Sequence, residues 1–113
     1  MESLNYFISI LTDPKDARIL GKLSRQYGSR LEEMDNESKL AIRAVLSRYV
    51  YFKNFQVEEY LIVDAIADSL PPYKERVCAT VKSLEGLSNR SCELLIYLLT
   101  SQQPNSIADL NQN

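Results

Sequence analysis

The chain has 113 residues, of which 45% are apolar and 25% are charged, which is typical of one globular domain and excludes wholesale disorder. Three glycines and four prolines supply too few turns for a sandwich or barrel of many short strands, so the composition favours helices. The net charge of −2 provides no overall basic field that would attract nucleic acid.

The first two helices are predicted from their capping residues and their apolar spacing. Ser3 can cap a short helix in which the apolar residues recur on one face: Leu4, Phe7, Ile8 and Leu11. Asp13 can cap a second helix, and Pro14 suits its first position, where the missing N–H costs nothing. This helix is expected to run to about Tyr27, with Gly28 as the stop.

A third helix is predicted from about Glu37 to Asn54, with Asp35 or Asn36 as its cap. Its apolar residues point in nearly every direction: Leu40, Ile42, Ala44, Val45, Leu46, Tyr49, Val50, Tyr51 and Phe52. A helix that is apolar almost all round usually lies at the centre of its bundle. We therefore expect the third helix to be central and buried on nearly every side.

Three further helices are predicted in the second half of the chain. The fourth covers about Val57 to Leu70 and is stopped by Pro71 and Pro72. Pro72 can open the fifth helix, which is expected to end at Gly86. Ser88 can cap a sixth helix that carries the apolar run from Cys92 to Leu99.

These elements predict an all-α fold, a compact bundle of five or six short-to-medium helices. Residues 1–103 are expected to form a single helical domain, and residues 104–113 a polar C-terminal tail. No clean alternation of apolar and polar residues and no Asn-Gly or Asp-Gly hairpin turn indicates a strand. The order of the helices in space does not follow from one sequence.

No segment predicts export or membrane insertion. The opening residues, MESLNYFISILTDPKD, lack a basic region before their short apolar stretch. No apolar run approaches the roughly 20 residues that a membrane-spanning helix needs. We therefore expect no membrane partner and a cytoplasmic, reducing location in which Cys78 and Cys92 remain thiols.

The residue types argue against catalysis and against a metal or cofactor site. The chain has no histidine, so the commonest general base and metal ligand is missing. Cys78 and Cys92 are too far apart in sequence for a zinc-binding pair, and their apolar surroundings are typical of buried thiols. The carboxylates of Asp64 and Asp68, one helical turn apart, are better explained as a solvated helix face. We predict no enzymatic activity, no cofactor and no metal.

The second helix carries the most coherent charged surface in the sequence. Its cations recur at helical spacing and fall on one strip: Lys15, Arg18, Lys22 and Arg25. Leu20, Leu23 and Tyr27 fall on roughly the opposite side, and Asp16 points away from the strip. This strip could bind phosphates or an acidic protein, or it could be an ordinary solvated face. Nucleic acid is the second choice of partner.

The segment LSNRSCELLIYLLTSQQPNSIADL resembles the first helix, turn and second-helix start of a helix-turn-helix or winged-helix domain. That resemblance would imply DNA binding through a recognition helix after the turn. The residues after the turn, IADLNQN, include no base, and Arg90 is the last base in the chain. The prediction of nucleic-acid binding therefore depends on the strip on the second helix and not on this segment.

An aromatic cluster between the third and fourth predicted helices is the other candidate surface. The stretch YVYFKNFQVEEY, residues 49–60, contains five aromatic residues. Neighbouring residues of a helix face about 100° apart, so one interior cannot easily accept all five rings. Tyr51, Phe55 and Tyr60 are the candidate partner-binding residues of this cluster. Alternatively, the rings pack between the third and fourth helices and hold them together, or they form a homo-oligomer interface.

Together these features predict a non-enzymatic helical interaction protein, such as an adaptor, an inhibitor or a regulatory subunit. A protein partner is expected at the aromatic cluster or at the basic strip. The alternative is a nucleic-acid-binding regulator that uses the basic strip of the second helix.

Overall fold

The computed structural model describes residues 3–11, 13–55, 59–68 and 73–103. Within these residues the fold is an all-α bundle of six helices: α1 (Leu4–Ile10), α2 (Pro14–Tyr27), α3 (Asn36–Phe55), α4 (Ile62–Ala67), α5 (Glu75–Lys82) and α6 (Asn89–Ser101). The predicted fold class is confirmed. None of these six helices combines the length and the apolar character needed to cross a bilayer. The tail predicted at 104–113 lies outside the described residues.

Local capping sets the ends of the first two helices as predicted. The Ser3 hydroxyl accepts a hydrogen bond from the Tyr6 N–H at 3.1 Å, which starts α1. The Asp13 side chain accepts one from the Lys15 N–H at 2.8 Å, so Asp13 is the N-cap of α2 and Pro14 is its first residue. Gly28 ends α2 with φ of +94°, a backbone conformation that side chains with a Cβ rarely adopt.

The fourth and fifth helices are shorter than predicted. The α4 helix spans only Ile62–Ala67, and the remainder of the predicted segment either is non-helical or lies outside the described residues. The α5 helix begins at Glu75, so the prediction that Pro72 opens it is wrong. Its cap, Lys74, has extended backbone with ψ of 150°, and the helix ends at Lys82, before a turn that leads to Gly86.

The central position predicted for α3 is confirmed, because this helix packs against α4, α5 and α6. Its buried side chains lie on one face: Ser38, Ala41, Ile42, Val45, Leu46 and Tyr49. The prediction that α3 is buried on nearly every side is wrong, since Leu40, Tyr51 and Phe55 are exposed on it. An apolar side chain is buried only where another helix covers it, and no described helix covers these three.

A buried carboxylate attaches α2 to the start of α6. Asp16 is only 1% exposed and accepts hydrogen bonds from the Ser88 N–H at 3.0 Å, from the Ser88 hydroxyl and from the Ser91 hydroxyl at 2.6 Å. Burial alone would raise the pKa of this carboxyl, but the bonds from Ser88 and Ser91 outweigh it and hold the pKa below its usual 3.8. Because these bonds hold the Asp16 side of α2 against the start of α6, the side of α2 that carries its cations faces solvent.

Candidate interaction surfaces

The basic strip of α2, defined by Lys15, Arg18, Lys22 and Arg25, lies on the surface of the bundle. All four side chains are exposed. In the part of the chain that the structure describes, the ion pairs are Lys74 with Glu37 and Arg76 with Asp35, and neither involves the strip. The four cations are therefore available to a ligand.

The opposite side of α2 explains why the strip faces water. Leu20 and Leu23 are buried in the core, and the hydroxyl of Tyr27 lies 2.7 Å from that of Thr80 in α5. Asp16 points inward to α6, as its position on the helix predicts. The sequence-based assignment of the two sides of α2 is confirmed.

The aromatic residues of α3 divide between the core and the surface. Tyr49 is buried, whereas Tyr51 is 59% and Phe55 76% exposed, with their ring centroids 5.2 Å apart. Phe52 is half-buried and packs on Tyr60 at a centroid distance of 5.3 Å. Two exposed rings one helical turn apart form the outer part of the cluster.

Tyr51 and Phe55 border a groove between α3 and α6 with a volume of about 630 Å³. It is lined by Ser47, Val50, Tyr51, Asn54, Phe55, Glu93 and Ile96. The Asn54 side chain donates to the Val50 carbonyl within α3 at 2.7 Å and accepts from Asn89 of α6 at 3.0 Å. The bond to Asn89 joins the end of α3 to the start of α6 beside the groove.

Tyr60, the third aromatic residue predicted to bind a partner, does not line this groove. Its hydroxyl donates to Asp68 at 2.9 Å. Burial, the bond to Asp68 and the charge of Asp68 raise the pKa of this phenol to about 12. The structure thus uses Tyr60 to hold the segment around α4, and it brings only Tyr51 and Phe55 of the predicted cluster together at the groove.

Sequence reasoning missed the α6 wall of the groove, which is formed by Glu93 and Ile96. The apolar run of α6 was a usable signal, because a run with apolar residues in every direction cannot be covered entirely by one core. Tyr97, in the same run, is 56% exposed. Which part of the run faces α3 depends on how the two helices pack.

The carboxylates of Asp64 and Asp68 have structural partners. Asp64 accepts a hydrogen bond from the Leu61 N–H at 2.8 Å, at the start of α4. Asp68, the C-cap of α4 one turn later, accepts from Tyr60, and both acids are exposed to solvent. Among the described residues, no three His, Cys, Asp or Glu side chains converge as metal ligands would.

No protein-family model, no curated protein and no solved structure matches the chain. The last seven residues of the segment that resembles a helix-turn-helix domain, 104–110, lie outside the described residues. The function of the chain must therefore be inferred from its own two surfaces, the basic strip on α2 and the groove between α3 and α6.

Proposed function

We propose that this chain is a non-enzymatic interaction protein, an adaptor, inhibitor or regulatory subunit, that binds a partner protein through the α3–α6 groove. The observation that carries the proposal is the exposure of Phe55 and Tyr51 beside this groove. Burying apolar surface is favourable by roughly 25 cal/mol for each Å² removed from water. A partner that covers these exposed rings would gain this free energy. Exposed aromatic clusters are what protein interfaces use as anchors.

The shape of the groove supports a helical partner. The α3 residues that line it, 47, 50, 51, 54 and 55, recur at the spacing of one helical face. They span about 12 Å, which matches about two turns of a helix laid along the groove. An amphipathic helix with apolar residues three and four positions apart would fit, and a Lys or Arg beside them would meet Glu93.

The test is site-specific photo-crosslinking in the cells that produce the chain, with a photoreactive residue at Ser47 on the groove. Nuclease treatment before mass analysis removes adducts bridged by nucleic acid. We expect a discrete protein adduct that is lost in the double variant Tyr51→Ser, Phe55→Ser. The matched control is Tyr6→Ser, because Tyr6 is 53% exposed on α1 and does not line the groove.

Each outcome has a defined meaning. An adduct that persists in the double variant, or that is lost equally in Tyr6→Ser, would reject the groove as the binding surface. An adduct of twice the mass of the chain would identify the partner as a second copy, which is the homo-oligomer form of the proposal. A cytoplasmic, reducing location, in which Cys78 and Cys92 remain thiols, belongs to the same proposal.

A further inference from the structure

The α2 helix indicates a ligand of a different chemical class. Its four exposed cations, from Lys15 to Arg25, extend over about 15 Å of helix. None of them pairs with a carboxylate in the described residues. Asp16, the acid within α2, is withdrawn into the junction with α6. Within the described residues the strip is therefore a line of cations with no carboxylate in ion-pair contact, which suits an anionic ligand.

The strip also lacks what a protein interface needs. No large apolar side chain of α2 is exposed, whereas α1, α3, α4 and α6 each expose at least one within the described ranges. Protein interfaces depend on aromatic or aliphatic anchors at their centre. A phosphodiester backbone is held by Lys and Arg alone and needs no such anchor. The composition of this face thus favours a nucleic acid over an acidic protein.

Gly21 provides an independent observation. It lies in the middle of α2 between Arg18 and Arg25, and its φ is not positive. A Cβ built at this position would meet only the Arg25 guanidinium, at 3.4 Å, which is an ordinary contact with a mobile group. Glycine inside a helix costs about 1 kcal/mol relative to alanine. Among the described residues only the Arg25 side chain would meet a Cβ here, so a ligand that displaces this guanidinium can approach the backbone closely.

We infer that α2 binds the phosphodiester backbone of a nucleic acid along Lys15, Arg18, Lys22 and Arg25, with Gly21 admitting the backbone between two arginines. One strand of a duplex presents a phosphate about every 3.4 Å along the axis, so the strip is long enough for about four contacts. These contacts hold phosphates and do not read bases. This function is additional to partner binding at the groove.

The experiment measures fluorescence anisotropy of a labelled DNA duplex and of a labelled single strand over a range of salt concentrations. Four phosphate contacts predict that log K falls against log salt with a slope of about −3.6 for the duplex or about −2.8 for the single strand. Because the net charge of the chain is −2, binding must come from a local surface. Absence of salt-dependent binding to either probe overturns the proposal.

Two double variants make the test specific to the strip. Arg18→Gln with Lys22→Gln should halve the slope, because two of the four contacts are lost. Arg48→Gln with Lys82→Gln changes the net charge equally at exposed positions on α3 and α5 that form no ion pair in the described chain. The control variant should bind as the unmodified chain does. Equal losses in both variants would assign binding to overall charge and overturn the inference.

The Gly21→Ala variant separates a binding role from a structural one. We expect its unfolding temperature to be unchanged or higher, since alanine is the better helix former. We also expect weaker binding to both probes at every salt concentration with the slope unchanged, because a Cβ would obstruct the close approach while all four cations remain. A variant that binds both probes as the unmodified chain does overturns the role given to Gly21.

Two further binding measurements identify the class of ligand and separate the strip from the groove. Polyglutamate, a polyanion without phosphates, should bind far more weakly than DNA. Equal binding of polyglutamate would overturn the phosphodiester assignment and make the strip a docking surface for acidic proteins. The groove variant Tyr51→Ser, Phe55→Ser should retain full DNA affinity, so failure of the groove proposal and failure of the strip proposal give different results.

Discussion

Ser88, the N-cap of α6, donates both its backbone N–H and its hydroxyl to the carboxylate of Asp16 in α2. The carboxylate therefore sits at the positive end of α6, where unpaired N–H groups favour negative charge. This relationship fixes α2 against α6. It also explains why the charged side chains that α2 exposes are all cations, since its one acid is used inside the fold.

Replacing Asp16 with Asn should lower the free energy of unfolding by about 2 kcal/mol near neutral pH, because hydrogen bonds to a charged group are lost in a buried place. It should also remove part of the acid sensitivity. The pKa of Asp16 is below 3.8 in the folded state, so the unfolded chain binds more protons as the pH falls. The stability that this carboxylate contributes is present above about pH 4 and is lost as the pH falls through the folded pKa.

Urea denaturation at several pH values between about 7 and 2 checks this prediction. Some acid sensitivity should remain in the variant. The hydrogen bonds from Ser38 to Asp35 at the start of α3 also lower the pKa of that carboxyl. If the curves for Asp16→Asn and the unmodified chain run parallel below pH 4, the assigned role of Asp16 is wrong.

Glu85 should be needed for the order of α4. Its carboxylate accepts hydrogen bonds from the Ile62 N–H at 2.9 Å and from the Tyr49 hydroxyl at 3.4 Å, so it joins the start of α4 to α3. Glu85→Ala should cost about 1–2 kcal/mol, because the Ile62 N–H loses its acceptor. Faster amide hydrogen exchange confined to α4 is the expected result, with Glu93→Ala, at an exposed groove residue, as the control.

The one-sided burial of α3 can be tested with two substitutions on the same helix. Leu46 is fully buried, whereas Leu40 is 39% exposed. Leu46→Asp should abolish cooperative unfolding, because an unpaired carboxylate cannot be accommodated in the core. Leu40→Asp should change the free energy of unfolding by less than about 1 kcal/mol. Thermal unfolding followed by circular dichroism distinguishes the two, and a cooperative transition in Leu46→Asp would contradict the buried position.

The two thiols should differ in reactivity. Cys92 is fully buried, and burial raises the pKa of its thiol to about 12, so almost no reactive thiolate forms near neutral pH. Cys78 is half-buried, which differs from the burial expected for both cysteines. A thiol reagent should therefore modify Cys78 first, and Cys92 only after unfolding, as mass spectrometry of the labelled chain can show. Labelling of both at equal rates would contradict the packing of α6.

Local sequence predicted the elements whose ends depend on local chemistry. The side chains of four N-cap residues start their own helices, so the starts of α1, α2, α3 and α6 were predictable: Ser3, Asp13, Asp35 and Ser88. The start of α4 was not, because the Ile62 N–H is satisfied by Glu85, far along the chain. The start of α5 was misplaced because a proline suits a first helical turn without obliging a helix to follow it, and Tyr73 and Lys74 are non-helical.

The two candidate sites also differ in how far local sequence predicted them. The strip on α2 was predictable in full, because helical spacing alone sets which side chains share a side, and the apolar residues opposite must face a core. The groove was predictable only in part. Tyr51 and Phe55 came from the aromatic cluster, but nothing local distinguishes them from the buried Tyr49.

By itself, the sequence determined the all-α class, the capped starts of four helices and which side of α2 carries its charges, since each depends on interactions within a few residues. The tertiary structure alone decided that Asp16 meets Ser88, that Glu85 caps α4 and that α6 provides the second wall of the groove. These features join side chains from distant parts of the chain. Their geometry depends on how whole helices pack, and helix periodicity places a residue on a side of its helix without naming the helix that will cover it.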